Sequence, residues 1–160
     1  MLKKHARNRK KNALPGVRFA IVASKYNRRY VDGMLQAAKA ALVQAGAREI
    51  EVVRVPGAFE IPVVAARLAA HSRRPFSAIL CLGVILRGET THAQHIGEAV
   101  SQALVHIQVA YHIPVIHEVL LLENEAQAQA RCLSKTHNRG EEAAGTALEM
   151  ARTMAALLTL

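Results

Sequence analysis

A chain of 160 residues, 51% of them hydrophobic, is long enough to bury the core of one domain. Its apolar runs are much shorter than the roughly 20 residues that cross a bilayer, and its two cysteines, Cys81 and Cys132, are too few for a disulfide framework, so we expect a soluble protein of the cytoplasm rather than a membrane or disulfide-rich secreted protein. The net charge of +9 is the one bulk property that points to nucleic acid.

The positive charge is concentrated at the N-terminus. Residues 1–16 contain no acidic residue and six basic ones, Lys3, Lys4, Arg7, Arg9, Lys10 and Lys11. The rest of the chain has 15 basic and 12 acidic residues, which gives it a net charge of +3. We therefore predict a basic, flexible N-terminal arm in residues 1–16, a single domain in residues 17–160, and no nucleic-acid partner for that domain.

Four apolar runs of strand length alternate with segments of helical period. The predicted strands are residues 17–24, 49–55, 77–86 and 114–122. The predicted helices are residues 30–45, 61–71, 91–112, 124–132 and 141–158. Strands that are apolar along nearly their whole length belong in a parallel sheet covered on both faces and joined by right-handed crossovers. The pattern predicts an α/β fold, a three-layer α/β/α sandwich with a four-stranded parallel sheet and helices on both faces.

Candidate site residues follow the predicted strands, because ligands of such sheets bind outside the carboxyl ends of the strands. Tyr26 and Asn27 follow the first strand, and the tyrosine offers an aromatic face. Residues 55–62, Val-Pro-Gly-Ala-Phe-Glu-Ile-Pro, follow the second strand and form a rigid turn. Glu60 stands there at the predicted helix start, where it either caps the helix or contacts a ligand.

The segment after the third strand, residues 88–95, joins a glycine to the start of a helix. Gly88 lets the backbone turn tightly, and free N–H groups at a helix start attract phosphate or another anion. Thr91 and Gln94 have the spacing of a capping box, which predicts Thr91 as the N-cap. His92 then lies in the first turn, where the helix dipole disfavours imidazolium, so it is either a neutral proton acceptor or an ordinary surface histidine.

Two further patterns are less informative. His92 and His95 are three residues apart, but a closed zinc site needs four ligands and neither cysteine has a second cysteine nearby, so we predict no metal. Arg131 follows the fourth strand. It either clamps a phosphate at the 88–91 loop, if the fold or a neighbouring subunit brings the two together, or is a solvated arginine at a helix end.

Taken in order, four motifs resemble the 6,7-dimethyl-8-ribityllumazine synthase (lumazine synthase) family. They are Tyr26-Asn27, the 55–62 block, the 83–92 block (Gly-Val-Ile-Leu-Arg-Gly-Glu-Thr-Thr-His) and Arg131. The similarity covers roughly residues 17–157, and the 83–92 block is its most specific part. The resemblance implies a flavodoxin-like form of the α/β sandwich predicted above.

The resemblance also implies an enzyme, a transferase of riboflavin biosynthesis. Lumazine synthases condense 5-amino-6-(D-ribitylamino)uracil with 3,4-dihydroxy-2-butanone 4-phosphate to give 6,7-dimethyl-8-ribityllumazine, phosphate and water, the penultimate step of riboflavin synthesis. They need neither cofactor nor metal. An amine and a phosphorylated ketone react once they are aligned, so positioning dominates and one histidine adds roughly 100- to 10,000-fold at most.

Individual residues acquire roles from the same resemblance. Those expected to bind the pyrimidine ring or its ribityl chain are Tyr26, Ala58, Phe59, Glu60, Val84, Ile85 and Leu86, with His117 contributed by the adjoining subunit. Those expected to bind the phosphate are Glu89 and Thr90, through their amides, and Arg131. His92 is expected to be catalytic, moving protons during imine formation and phosphate loss.

Two of these positions depart from the family pattern. Tyr26 stands where the family usually has Phe or Trp, and the ring face survives the change. His117 aligns with a position that is often Phe. An imidazole still stacks on a ring, but it adds a pH dependence that Phe lacks.

Family members are homo-oligomers with active sites between subunits. The resemblance implies a pentamer, with a decamer or a 60-subunit shell as further forms, and riboflavin synthase as a protein partner. Two alternatives to an enzyme remain open. One is a flavodoxin-like module that binds flavin or lumazine without catalysis, and the other is a cage-forming homologue whose basic arm binds RNA with a steep salt dependence.

Overall fold

The strands and helices follow the predicted alternation. The computed structural model describes residues 16–160, so the predicted arm lies outside the described residues except for Gly16. The strands are β1 (Arg18–Ser24), β2 (Glu49–Val55), β3 (Ala78–Leu86) and β4 (Val115–Leu122). The helices are α1 (Arg28–Gln44), α2 (Ile61–Ala69), α3 (His92–Tyr111), α4 (Glu125–Cys132) and α5 (Arg139–Leu157), and a short 3₁₀ turn, Ala58–Glu60, precedes α2. The bounds agree with those predicted to within two residues, and those of β2 agree fully.

The four strands form one parallel sheet in the order β2-β1-β3-β4. This confirms the predicted fold class, a flavodoxin-like α/β sandwich. Because all strands run the same way, their carboxyl ends lie at one edge of the sheet. Ser24 at the end of β1 is in register with Val55 at the end of β2, and the segments that follow these strands therefore start side by side.

Each face of the sheet has its own apolar core. Phe19 and Ile21 of β1 point into a core shared with α1, α4 and α5, whereas Ala20 and Val22 point into one shared with α2 and α3. All four side chains are fully buried, as strands covered on both sides require. Burial of a Phe, Ile or Val side chain contributes about 1.5–3 kcal/mol. The alternation of side chains along β1 thus determines which helices cover which face.

A close backbone contact and an N-terminal cap hold the start of α5 in place. A Cβ on Gly140 would collide with the main-chain carbonyl of Met34, so α5 reaches α1 only through a glycine. The Asn138 carboxamide accepts from the Gly140 N–H at 2.8 Å and donates to the Cys132 carbonyl at 2.7 Å. This cap starts α5 two residues earlier than predicted and secures the turn that follows α4. None of the helices in residues 16–160 is long and apolar enough to span a bilayer.

Candidate functional site

A cavity of about 750 Å³ opens at the carboxyl edge of the sheet, on the face covered by α2 and α3. We call it the strand-end cavity. Its wall includes eight of the residues predicted for the site, namely Tyr26, Ala58, Phe59, Glu60, Val84, Ile85, Leu86 and His92. They come from three strand ends and from the first turn of α3. The parallel sheet therefore brings together motifs that are far apart in the sequence.

The turn after β1 holds Tyr26 at the cavity. The Tyr26 N–H donates to the Pro56 carbonyl at 3.0 Å, which joins this turn to the one after β2. Asn27 has a left-handed φ of 55°, which asparagine tolerates better than most residues. Its side-chain amide donates to the Val84 carbonyl at 2.7 Å. The backbone is thus fixed on both sides, while the Tyr26 side chain remains 68% exposed and free to meet a ligand.

Glu60 has the structural role that the sequence left open. Its Oε2 accepts from the Gly57 N–H at 2.8 Å and so closes the turn before α2. A Cβ on Gly57 would lie 2.8 Å from Tyr26 Cδ2 and 3.1 Å from that Glu60 oxygen. The tyrosine ring therefore lies against a glycine that leaves it room. Glu60 also lines the strand-end cavity, so capping and ligand contact are compatible.

The end of β3 supplies an apolar wall. Val84 is 2% exposed and Ile85 is 9% exposed, and both line the strand-end cavity. Leu86 is half-buried at the rim. Apolar walls with a few placed polar groups are typical of sites that bind small molecules. This wall suits the face of a planar ring.

The start of α3 differs from the prediction in its hydrogen bonds. Thr91 is the N-cap residue, as predicted, but its side chain makes no capping hydrogen bond. The predicted capping box is wrong, because the Gln94 amide donates instead to Glu98, one turn further on, at 2.9 Å. Gly88 also lacks the expected steric role, since its φ is not left-handed and an added Cβ would meet no atom within 4 Å.

His92 is the first residue of α3 and is exposed at the strand-end cavity. His95, Ile96 and Ala99, on the next turns of the same helix, also line it. The face of α3 that meets the cavity is thus apolar apart from two histidines. Within residues 16–160, no three His, Cys, Asp or Glu side chains are grouped so that they could hold a metal ion.

Four predicted residues lie outside the strand-end cavity. Glu89 and Thr90 are in the exposed loop between β3 and α3. Arg131 is exposed in the last turn of α4, which packs on the opposite face of the sheet from α3. His117 is on β4 and contacts α3 through Ser101. One subunit by itself therefore does not bring Arg131 or His117 to the cavity, and their roles stay predictions.

Comparison with known proteins identifies the family. The sequence model of 6,7-dimethyl-8-ribityllumazine synthase matches residues 16–155. A lumazine synthase of Stenotrophomonas maltophilia (strain R551-3) is 43% identical over 135 residues, which cover 83% of this chain and 86% of that protein. The chain belongs to the lumazine synthase family. A lumazine synthase of Xanthomonas oryzae pv. oryzae (strain PXO99A) is 39% identical over 142 residues, covering 88% and 91% of the two chains.

Membership confirms the resemblance carried by the four motifs. As a lumazine synthase, the protein is an enzyme, a transferase of riboflavin biosynthesis. The sequence motifs assign no site role to His95, whose spacing from His92 suggests only a metal ligand, and none to Asn27, whose contact with Val84 joins distant strands. The sequence feature that could have pointed to a structural role for Asn27 is its position directly before a helix, where asparagine side chains often bond main-chain groups.

An ion-pair network supports the turn after β1 that holds Tyr26. Arg54 on β2 bonds the Ser24 carbonyl at 3.0 Å and the Asp32 carboxylate at 2.6 Å, and Arg28 reaches the same carboxylate at 3.2 Å. Burial raises the pKa of Asp32, but the hydrogen bonds and charges of the two arginines outweigh it and hold the pKa below its usual value. Asp32 therefore stays ionised at neutral pH, and the network links β2 to α1 beside Tyr26.

Proposed function

We propose that the protein condenses 5-amino-6-(D-ribitylamino)uracil with 3,4-dihydroxy-2-butanone 4-phosphate to give 6,7-dimethyl-8-ribityllumazine, phosphate and water, the penultimate step of riboflavin synthesis. The observation that carries the proposal is that Tyr26, the 57–60 turn, the end of β3 and His92 line one cavity. It combines an aromatic face, an apolar wall, main-chain polar groups and one proton-transfer group. These are the parts that a pyrimidine amine needs in order to meet a ketone.

The pyrimidine ring binds between Tyr26 and the apolar wall. The exposed Tyr26 ring stacks on it, and Val84 and Ile85 exclude water from its other side. Ala58, Phe59 and Glu60 contact the ring edge and the ribityl chain. Stacking of a base on an aromatic side chain contributes about 1–3 kcal/mol. In this proposal, residues 17–160 form one domain that carries the site. The enzyme acts in the cytoplasm and needs no cofactor.

The ketone phosphate binds at the loop before α3. The Glu89 and Thr90 amides lie beside the N-terminus of a 20-residue helix, where the helix dipole favours an anion. Arg131 completes the phosphate site, and since it lies on the other face of its own subunit, a neighbouring subunit supplies it. His117 reaches the ring in the same way. The enzyme is therefore a homo-oligomer. We propose that it forms a pentamer, that pentamers can assemble further into a decamer or a 60-subunit shell, and that riboflavin synthase is a protein partner.

Catalysis depends chiefly on alignment. The pyrimidine amine attacks the ketone carbonyl and a first water leaves to form an imine. Phosphate is then eliminated, and the ribityl-bearing nitrogen closes the ring onto the remaining carbonyl with loss of a second water. Holding two reactants in contact replaces a bimolecular encounter and supplies much of the acceleration. His92, exposed at the strand-end cavity, accepts and returns protons during the imine and elimination steps.

The test mixes the purified oligomer with both substrates and follows lumazine absorbance and phosphate release together. We expect equal amounts of both products at a rate well above that of the substrates alone. Omission of either substrate should abolish both signals. A folded oligomer that binds lumazine but does not accelerate either signal would contradict the proposal and favour the binding module. Steep, salt-dependent RNA binding that is lost on deletion of residues 1–16, again without catalysis, would favour the cage.

A further inference from the structure

Ser101 and His117 form a hydrogen-bonded chain on the face of β4 that packs against α3. The Val119 N–H donates to His117 Nδ1 at 3.2 Å. His117 Nε2 lies 2.7 Å from Ser101 Oγ, and the Ser101 hydroxyl donates to the Gly97 carbonyl at 2.8 Å. Every polar atom of the imidazole therefore has a partner, and the ring is held at both nitrogens.

The direction of these hydrogen bonds determines the tautomer. Nδ1 accepts from a main-chain N–H, so it carries no proton of its own. The ring proton is then on Nε2 and points to Ser101, whose own proton is used on the Gly97 carbonyl. Protonation of Nδ1 would place two N–H groups against each other and break the bond to Val119. The chain of hydrogen bonds accepts only the neutral ring.

The groups around His117 do not favour a cation. Burial lowers the pKa of His117, although a hydrogen bond to its own backbone raises it in part. Its partner in register on β3 is Cys81, a buried thiol whose pKa burial raises. Glu98 of α3 and Arg87, which directly follows β3, line a second, separate cavity that also includes Ser101. Glu118 is paired with Arg139 on the opposite face of the sheet. His117 is therefore neutral at pH 7.

We propose that Ser101 is a positioning residue that holds the neutral His117 ring in one orientation, so that the ring meets the pyrimidine bound by the adjoining subunit. This inference rests on the proposed function, in which His117 contacts that ring. Loss of the Ser101 hydroxyl leaves the imidazole bound at one nitrogen and free to turn. Protonation of His117 releases the other nitrogen, so the site loses the ring contact as the pH falls.

The first test compares Ser101→Ala with Ser101→Thr, which keeps the hydroxyl. We expect Ser101→Ala to raise KM for the pyrimidine by roughly 2- to 10-fold, as loss of one hydrogen bond allows, with kcat and KM for the ketone phosphate unchanged. Ser101→Thr should restore the wild-type KM. Thr146→Val is the matched control, because the Thr146 hydroxyl bonds the Glu142 carbonyl one turn back, without a ring partner. It should leave KM unchanged.

The decisive measurement repeats Ser101→Ala in a His117→Phe background across pH 5.5 to 8. The wild-type KM for the pyrimidine should rise only at the acid end of this range, because the pKa of His117 lies below the ordinary value of histidine, whereas the His117→Phe KM should not change with pH or with Ser101→Ala. Equal effects of Ser101→Ala in both backgrounds, or equal changes in kcat and both KM values with a lower Tm, would overturn the proposal. Absence of any lumazine formation by the wild-type oligomer would instead contradict the proposed function itself.

Discussion

The side-chain amide of Asn27 donates to the main-chain carbonyl of Val84 across 2.7 Å, and this bond ties the turn after β1 to the end of β3. The same residue has the left-handed φ that the turn requires. One side chain thus links two walls of the strand-end cavity and sets the position of Tyr26. The precision of the site depends on contacts of this kind, which preorganise the wall before a substrate binds.

Two Asn27 substitutions should test the hydrogen bond to Val84 without straining the turn, because Gly and Asp both tolerate its left-handed backbone. Asn27→Gly keeps the left-handed backbone and loses only the amide, so we expect a loss of about 1 kcal/mol in the free energy of unfolding and a higher KM for the pyrimidine. Asn27→Asp puts a carboxylate against the Val84 carbonyl and should cost roughly 2 kcal/mol or more. Urea unfolding and steady-state kinetics measure both. Wild-type stability and KM in Asn27→Gly would show that the hydrogen bond does not hold the turn.

Gly57→Ala should displace the Tyr26 ring, because the new methyl group would lie 2.8 Å from Tyr26 Cδ2 and 2.9 Å from Cε2. We expect a higher KM for the pyrimidine but a loss of no more than about 1 kcal/mol in stability, because the exposed Tyr26 ring can turn away from the new methyl group. Gly145→Ala is the matched control, since its added methyl group meets no atom within 4 Å on an exposed turn of α5. It should be neutral or stabilising by up to about 1 kcal/mol. A wild-type KM in Gly57→Ala would show that the ring position does not matter.

His92→Gln should slow the enzyme by severalfold to a few hundredfold without abolishing activity, because alignment of the substrates supplies most of the acceleration. Stability should not change, since His92 is exposed. Single-turnover kinetics with both substrates measure the effect. His71→Gln is the control, an exposed histidine that follows α2 near the amino end of β3, and it should react at the wild-type rate. Complete loss of turnover in folded, assembled His92→Gln would give His92 a larger role than the proposed one.

Loss of Arg139 from its ion pair with Glu118 should make the stability of the protein depend on pH. Burial raises the pKa of Glu118, and the charge of Arg139 at 3.0 Å lowers it in part. Arg139→Gln leaves a buried carboxylate without its partner, so we expect a loss of roughly 2–4 kcal/mol at pH 7.5, at or below the range for fully buried pairs because Arg139 is partly exposed.

The sign of the pH dependence follows from the direction of that pKa shift. With its pKa raised above the unfolded value, Glu118 destabilises the fold only when it is ionised, so the deficit of Arg139→Gln should shrink as the pH falls towards 5. Thermal unfolding at several pH values measures it. Arg152→Gln, an exposed change on the same helix, should show no such trend. A deficit that grows at low pH would contradict the assigned cause.

Much of the fold could be predicted, and the errors have local causes. Strand and helix positions were right within two residues because continuous apolar runs of strand length alternate along the chain with segments of helical period. The capping box at Thr91 and Gln94 was wrong because Gln94 also has Glu98 four residues further along the helix, and its amide donates to that carboxylate instead. The tight turn at Gly88 was wrong because a glycine in a loop does not by itself require a left-handed backbone.

The sequence by itself determined the fold class and the edge of the sheet where the site lies. Parallel strands bring all their carboxyl ends to one edge, so residues that directly follow strands must meet there. Only the tertiary structure decided that Asn27 bonds Val84, that His117 is held by Ser101, and that Arg131 lies on the opposite face from the strand-end cavity. These relationships depend on the strand order β2-β1-β3-β4 and on which face each helix covers, and no local pattern of residues specifies contacts between such distant segments.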